Sequence, residues 1–341
     1  MTGSLPLSSR KADHIRINLD QDVKSSITSG LEAYRFTHEA LPDLNLEDID
    51  LSQEVFGKHV AAPILISSMT GGTPEAERIN LVLARAAQET GIAMGLGSQR
   101  AAIENPGLAR TFQVRRVAPD ILLLANIGAV QLNYSYSVDE CRRAVDMIEA
   151  DGLILHLNPL QEALQPEGDT HFKGLLKKIG IVCRDIGVPV VVKEVGWGIS
   201  ETTARRLAEA GVAGIDVAGA GGTSWSQVEM YRIQDVNRAR VAASFRGWGI
   251  PTAESIQMVR RGAPRLVTFA SGGLADGIDI AKCIALGARL GGMAGFFLKL
   301  AGDFEELISA IEEIRNEIQI CMFVTGSGNL EQLQKAPMMK I

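Results

Sequence analysis

The residues able to do chemistry in this chain fall where short apolar runs stop. Lys193 ends the run at 190–193, so its ammonium is expected at the mouth of the sheet that this run helps to build. A buried cation without a partner is costly, and it should therefore face an anion or an electron-rich ligand. Two chemistries compete there: a Schiff-base nucleophile, or a flavin partner whose charge stabilises the reduced, anionic ring. Glu194 points the other way along a regular strand and is expected to be structural.

A compact polar group follows another run: His156, Asn158, Gln161 and Glu162. Glu162 is a hard oxygen ligand suited to Mg²⁺, which keeps several waters and binds through one or two carboxylates plus substrate phosphates. A helix-capping carboxylate is the plainer alternative, and His156 equally suits a satisfied core position. Near the N-terminus, Arg10-Lys11-Ala12-Asp13-His14 gathers three potential cations. That run is either solvated surface or an arm that folds over a diphosphate, Arg donating two hydrogen bonds and Lys a point charge.

Two glycine clusters add an anion site. Ser271-Gly272-Gly273 precedes a helix near Asp276, and Gly291-Gly292-Met293-Ala294-Gly295 precedes the last helix. Glycine lets backbone N–H groups approach an oxyanion, although simple turn glycines would look the same.

These residues need a scaffold that gathers them. Apolar runs at 64–67, 93–96, 121–125, 153–156, 190–193, 214–217, 266–270 and 290–293 alternate with helical patterns at 74–90, 138–150, 172–186, 200–210, 252–261 and 276–286. Eight apolar runs with helical crossovers predict buried parallel strands closed as a (β/α)₈ TIM barrel. The active site of such a barrel lies at the carboxyl ends of its strands. Polar segments stand there after nearly every run: 67–72, 97–100, 126–128, 156–162, 193–194, 219–224 and 271–274. The glycine clusters fall after the seventh and eighth runs, where such barrels bind phosphate, and no GxGxxG fingerprint follows the first run. FMN is therefore the leading cofactor. Residues 1–60 are expected to form an N-terminal extension with a substrate-binding arm, and residues 61–341 the FMN-binding barrel. The long connection at 218–250 is expected to be a lid or binding loop.

Composition narrows the classes. With 34 basic and 40 acidic residues the net charge is −6, which speaks against a nucleic-acid protein. The four cysteines form no CxxC pair, so a disulfide framework or structural zinc is not expected. No signal peptide is evident, and the greasy stretch at 284–300 is interrupted by Arg289 and glycines, so no membrane span is expected and the cytoplasm is the default compartment.

The motifs RKADHI, SSMTGG, GLGSQR, NIG, HLNPLQE, GDTHFKG, VKEVGWGIS, AGAGGTSW, ASGGLADG and GGMAG, in this order from residue 10 to about 300, resemble the type 2 isopentenyl-diphosphate isomerases. The resemblance implies interconversion of isopentenyl and dimethylallyl diphosphate with FMN, Mg²⁺ and NADPH as the flavin's reductant. It implies that Ser68, Met69, Thr70, Ser98, Asn126, Lys193 and Thr223 line the flavin, and that Gly273, Leu274, Ala294 and Gly295 hold its phosphate region. Arg10, Lys11, Gln99, Arg100, His156 and Asn158 would serve the substrate, Gln161 would sit near the alkene with Lys193 as its catalytic companion, and Glu162 would bind the metal. A homotetramer or homo-octamer is implied as well.

The alternative is an FMN-dependent oxidoreductase on the same barrel. A 2-hydroxy acid oxidase needs a late histidine, yet the five histidines end at His171. An IMP-dehydrogenase-like barrel needs a cysteine in the sixth loop, and 218–250 has none. A glutamate-synthase-like flavin domain would bring an iron–sulfur cysteine cluster. A non-catalytic scaffold would fill the strand ends with apolar residues.

Overall fold

The computed structural model describes residues 7–341, with side chains from Asp13 onward. Eight parallel strands close on themselves: β1 Ile64–Ile66, β2 Ala93–Gly95, β3 Leu123–Gly128, β4 Gly152–His156, β5 Val190–Lys193, β6 Gly214–Asp216, β7 Val267–Ser271 and β8 Leu290–Met293. Each pairs with the next, and β8 returns to β1 through Met293 opposite Ile66. These strands are buried almost throughout, which is why those such as Ile64–Ile66 and the first three residues of Val190–Lys193 read as apolar runs with no alternation. The expected (β/α)₈ barrel is present, with strand limits within three residues of those expected.

Local signals explain the outer helices. Pro74–Thr90 begins with Thr73 accepting from the Ala76 N–H and Pro74 at its first position, and it ends on the left-handed Gly91. Val138–Ile148 carries a full capping box between Ser137 and Glu140. One segment departs from expectation. Residues 218–250 hold two helices, Trp225–Arg232 and Val236–Ser244, instead of an open loop. Val228, Ile233 and Ala242 are buried there, so that segment has an apolar side of its own. After β2 the crossover is built from short turns, Arg100–Glu104, Pro106–Phe112 and Arg115–Val117, because Pro106 and Pro119 interrupt any longer helix.

The segment before the barrel is divided between its two ends. A hairpin, Gln53–Val55 with Lys58–Val60, brings Val55, Phe56 and Val60 against Leu65, Leu124, Val191 and Phe269, sealing the amino-terminal end of the barrel. The ring of Phe56 meets that of Phe269 edge-on at 6.0 Å. Tyr34–Phe36 pairs antiparallel with Met338–Lys340, tying the start of the chain to its end. Helix Leu7–Asp20, here α1, crosses the opposite, carboxyl end. All four cysteines are free, and no helix among the described residues is long and apolar enough to cross a membrane.

The sealed end also carries a polar clasp. Arg115 donates to the carbonyls of Ala118, Pro119, Ile121 and Glu149 and to Asp151 at 2.9 Å. Asp151 in turn accepts from the Leu123 N–H, at the start of β3. Removing the guanidinium takes the donor from several acceptors at once, those of Ala118, Ile121 and Asp151 being part-buried. Arg115→Ala is expected to lower unfolding stability by about 2–4 kcal/mol, read as a shift of the urea midpoint; a loss of under about 0.5 kcal/mol would place the clasp outside the fold's supports.

Candidate functional site

A cavity of about 790 Å³ opens at the carboxyl ends of the strands. All eight strand ends or the loops after them reach it, and His14, Asn18 and Val23 of the N-terminal segment roof it.

Its most distinctive feature is a buried ion pair. Lys193 on β5 stands opposite Asp216 on β6 in register. Their charged groups are 3.2 Å apart, and Lys193 Nζ donates to Ser271 Oγ at 3.3 Å. Ser271 Oγ donates to Asp216 Oδ1 at 2.7 Å. The expectation that Lys193 needs its counter-charge from a ligand is thereby corrected: the chain supplies one. Asp216 was missed because it lies inside an apolar run, where its only signal is a carboxylate among strand residues.

A second network radiates from the loop after β4. His156 Nδ1 lies 2.8 Å from Asn126 Oδ1, fixing the ring beside Gly128. Asn158 Nδ2 donates to Gln161 Oε1 at 3.1 Å and to Glu162 Oε1 at 2.8 Å. Glu162 Oε2 accepts from the Asp169 N–H at 2.7 Å and from Gln165. Burial pushes the Glu162 carboxyl above its ordinary range, against the pull of those donors. Arg100 pairs with Asp169 at 2.9 Å and with Glu104 at 2.7 Å, and Asp169 also accepts from Gln131.

Gln161 reaches further. Its Nε2 donates to Glu229 Oε1 at 2.9 Å, and Glu229 also pairs with Arg232 and, at 3.3 Å, with His14 of α1. His14 meets the Trp225 ring edge-on at 5.0 Å. Burial would raise the Glu229 carboxyl, but hydrogen bonding and charge from His14, Arg232 and Gln161 outweigh it and hold the group at about 2. Nothing in its sequence context, a charge in the long connection, distinguished Glu229 from a solvated side chain.

Most residues expected at the site do line this cavity: Ser68, Met69, Thr70, Ser98, Arg100, Asn126, His156, Asn158, Gln161, Glu162, Lys193, Thr223, Gly273, Leu274, Ala294 and Gly295. Gln99 does not. It is fully buried, its Nε2 donating to the Ala144 carbonyl at 2.8 Å and its Oε1 accepting from the Asn126 N–H at 3.0 Å. Gln99 thus braces β3 from behind, a correction to its place among substrate contacts. The side chains of Arg10 and Lys11 lie outside the described residues. Glu194 is structural, as expected: one carboxylate oxygen takes the N–H groups of Val195, Gly196 and Trp197.

The cavity suits a phosphate-bearing ring cofactor. The hydroxyls of Ser67 and Ser68 are buried on its wall without a hydrogen-bond partner among the described residues. Gly273 has φ 74, and a Cβ there would stand 2.5 Å from the Gly221 carbonyl carbon. At Gly295 the same position is open space, leaving the backbone bare toward the cavity. A metal is a different matter: among the described residues no group of three or more His, Cys, Asp or Glu converges. Mg²⁺ would have to be shared between Glu162 and oxygens of a ligand.

A family model described as FMN-dependent dehydrogenase matches residues 17–112 and 160–340. The chain is 54% identical over 333 residues to an isopentenyl-diphosphate delta-isomerase of Nostoc sp., covering 97% of this chain and 95% of that one. It is 52% identical over 328 residues to the Rickettsia bellii isopentenyl-diphosphate delta-isomerase, covering 96% of each. Among solved structures it resembles mandelate oxidase with (S)-2-phenylpropionate, at TM-score 0.65 and 18% identity over 99% of both chains. A mandelate oxidase mutant with a monooxide FMN adduct gives 0.63 at 17% identity, covering 100% of this chain and 94% of that one. These two likenesses speak for the fold alone.

Glu229 ties α1 to the loop after β4, and the sign of its acid response follows. Its carboxyl drops from the ordinary 4.5 to about 2 on folding. The stability it contributes is fully present above the unfolded value and drains away as pH falls toward the folded one. In acid titrations of unfolding, Glu229→Gln should lose less stability between pH 4.5 and 2 than the parent chain; parallel curves would rule the carboxylate out as the source.

Proposed function

The chain belongs to the FMN-dependent dehydrogenase family and to the isopentenyl-diphosphate delta-isomerases, and from that premise we propose that it interconverts isopentenyl and dimethylallyl diphosphate, with FMN, Mg²⁺ and NADPH as the flavin's reductant. The observation that carries this reading is the meeting of Lys193, Gln161 and Glu162 on one cavity lined also by the positive-φ glycines Gly221, Gly272 and Gly273, with Asp216 and Glu229 holding the first two from behind.

Shifting the double bond means adding a proton to an unactivated alkene and taking one from its neighbour, with no net redox. The developing charge resembles a tertiary carbocation, so water must be kept out. Reduced FMN, when bound, supplies a ring nitrogen able to exchange a proton and a negative charge beside the cation. Ser68, Met69, Thr70, Ser98, Asn126 and Thr223 would line it, while Gly273, Leu274, Ala294 and Gly295 would hold its phosphate region. Lys193 would face the ring.

The remaining side chains belong to the substrate. Arg100, His156 and Asn158, with Arg10 and Lys11 of the arm, would hold the diphosphate, and Glu162 would share Mg²⁺ with it. Anchoring the charged end orients a small hydrocarbon that offers nothing else to grip. Gln161, held by Glu229 and Asn158 on the cavity wall, would sit near the alkene and is the candidate for guiding a proton. Helix α1, latched by His14 to Glu229, would exclude water. Exposed Val236, Val241 and Trp248 support assembly into the homotetramer or homo-octamer.

Anaerobic incubation with FMN, NADPH and Mg²⁺ should interconvert the two diphosphates, and no turnover there would reject the function. Glu162→Gln should raise the Mg²⁺ needed for half-maximal rate roughly 10- to 100-fold while FMN stays bound; an unchanged Mg²⁺ curve removes Glu162 from the metal. Lys193→Ala should lower kcat about 10²-fold and weaken flavin binding. Parent-like behaviour on both counts would return Lys193 to a structural part.

A further inference from the structure

The ion pair on the cavity wall has an asymmetry that bears on the ring. This inference rests on the reading that the cavity takes FMN. Lys193, Asp216 and Ser271 end three neighbouring strands, β5, β6 and β7, and their polar atoms close a triangle of 3.2, 3.3 and 2.7 Å. Asp216 Oδ1 also accepts from the Ala218 N–H at 3.3 Å, so its orientation is set by backbone as well as side chains. Lys193 and Ser271 line the cavity, whereas Asp216, 1% exposed, stands outside its lining. The anion therefore backs the cation.

A lone ammonium presents a full positive charge to a bound ring. An ammonium backed by a carboxylate presents a dipole, whose pull is weaker and falls faster with distance. With Lys193 8% and Asp216 1% exposed, solvent and salt even out little of the difference. We propose that Asp216 is a positioning residue that fixes Lys193 Nζ on the wall and limits how much of its charge reaches the flavin, and so sets how far the chain prefers the reduced, anionic ring to the oxidised, neutral one. The arrangement matches the chemistry. A ring that must release and retake a proton is poorly served by an anion held too firmly, and a partly neutralised lysine leaves the balance adjustable. Ser271 contributes by holding both partners through one hydroxyl.

The test is a double-mutant cycle on flavin binding. Dissociation constants of oxidised and chemically reduced FMN are measured anaerobically for the parent chain, Asp216→Asn, Lys193→Met and the double variant. The ratio of oxidised to reduced constants should rise about tenfold in Asp216→Asn, equivalent to ~30 mV for a two-electron couple. It should fall about tenfold in Lys193→Met. The double variant should return to within about threefold of the parent, since it removes the pair as a unit. A merely structural pair would alter folding stability and leave these ratios alone. Should Asp216→Asn fail to fold, the double variant must still exceed Lys193→Met by about tenfold. An Asp216→Asn ratio equal to the parent's, or a double variant equal to Lys193→Met, overturns the proposal. A parent chain that binds FMN in neither state overturns the cofactor reading and this inference with it.

Discussion

Taking a lysine and an aspartate out of water together is the constraint around which the carboxyl end of this barrel is arranged. Either group alone would be costly at this depth; together they are tolerable only if their geometry is tight and their remaining hydrogen-bonding capacity is met. The strand register meets the first condition, placing Lys193 opposite Asp216 on adjacent strands. Ser271, on the next strand, meets much of the second. A slip of one residue in β5 or β6 would turn one charge into the apolar layer between strands and helices. The pair thus ties pairing register to the position of the cavity.

The barrel interior divides along its axis for a related reason. Below, Leu65, Leu124, Val191, Phe269 and the hairpin residue Phe56 pack into a dry plug. Above, the same strands end in polar or small residues, and the chain must provide other lids. It does so with α1, whose His14 is joined to Glu229 and Trp225, and with the backbone of Ser25 and Ser224, which bond to Gly222 and Val23. The pre-barrel segment therefore serves both ends: its hairpin packs apolar side chains into one, and its helix covers the other through His14 on Glu229 and through Ile17 packed with Val23 and Val228.

The fold was largely legible because parallel buried strands are nearly continuous apolar runs, and those at 190–193 and 290–293 match their strands at both ends. The helices of 218–250 were hidden by interleaved charges such as Arg232, Arg238 and Arg240, whose stems and heads look like loop composition. At the site, residue type and strand-end position were enough to bring sixteen expected residues to the cavity wall. They could not reveal direction. Gln99 and Arg100 are neighbours, yet the first turns inward to brace β3 and the second turns toward Asp169, because the helical turn at Arg100–Glu104 rotates successive side chains apart. Partners far apart in the chain were equally invisible. Asp216 and Glu229 declare themselves only once β6 and the helix Trp225–Arg232 have been placed beside Lys193 and Gln161.

Those two acidic residues perform complementary work. Asp216 backs a cation from outside the cavity lining, and Glu229 gathers His14, Arg232 and Gln161 from three separate segments. Each carboxylate is kept from water by packing and occupied by its partners, so neither is spare to act as an exposed acid. In the proposed isomerisation the proton would be handled by the Gln161 amide and the flavin ring, while the fixed charges shape the field around them. That separation suits a reaction in which a proton moves across a hydrocarbon: an acid strong enough to protonate an alkene could not stay protonated in water. An enclosed, pre-arranged polar environment can stabilise the developing cation without any single strong acid.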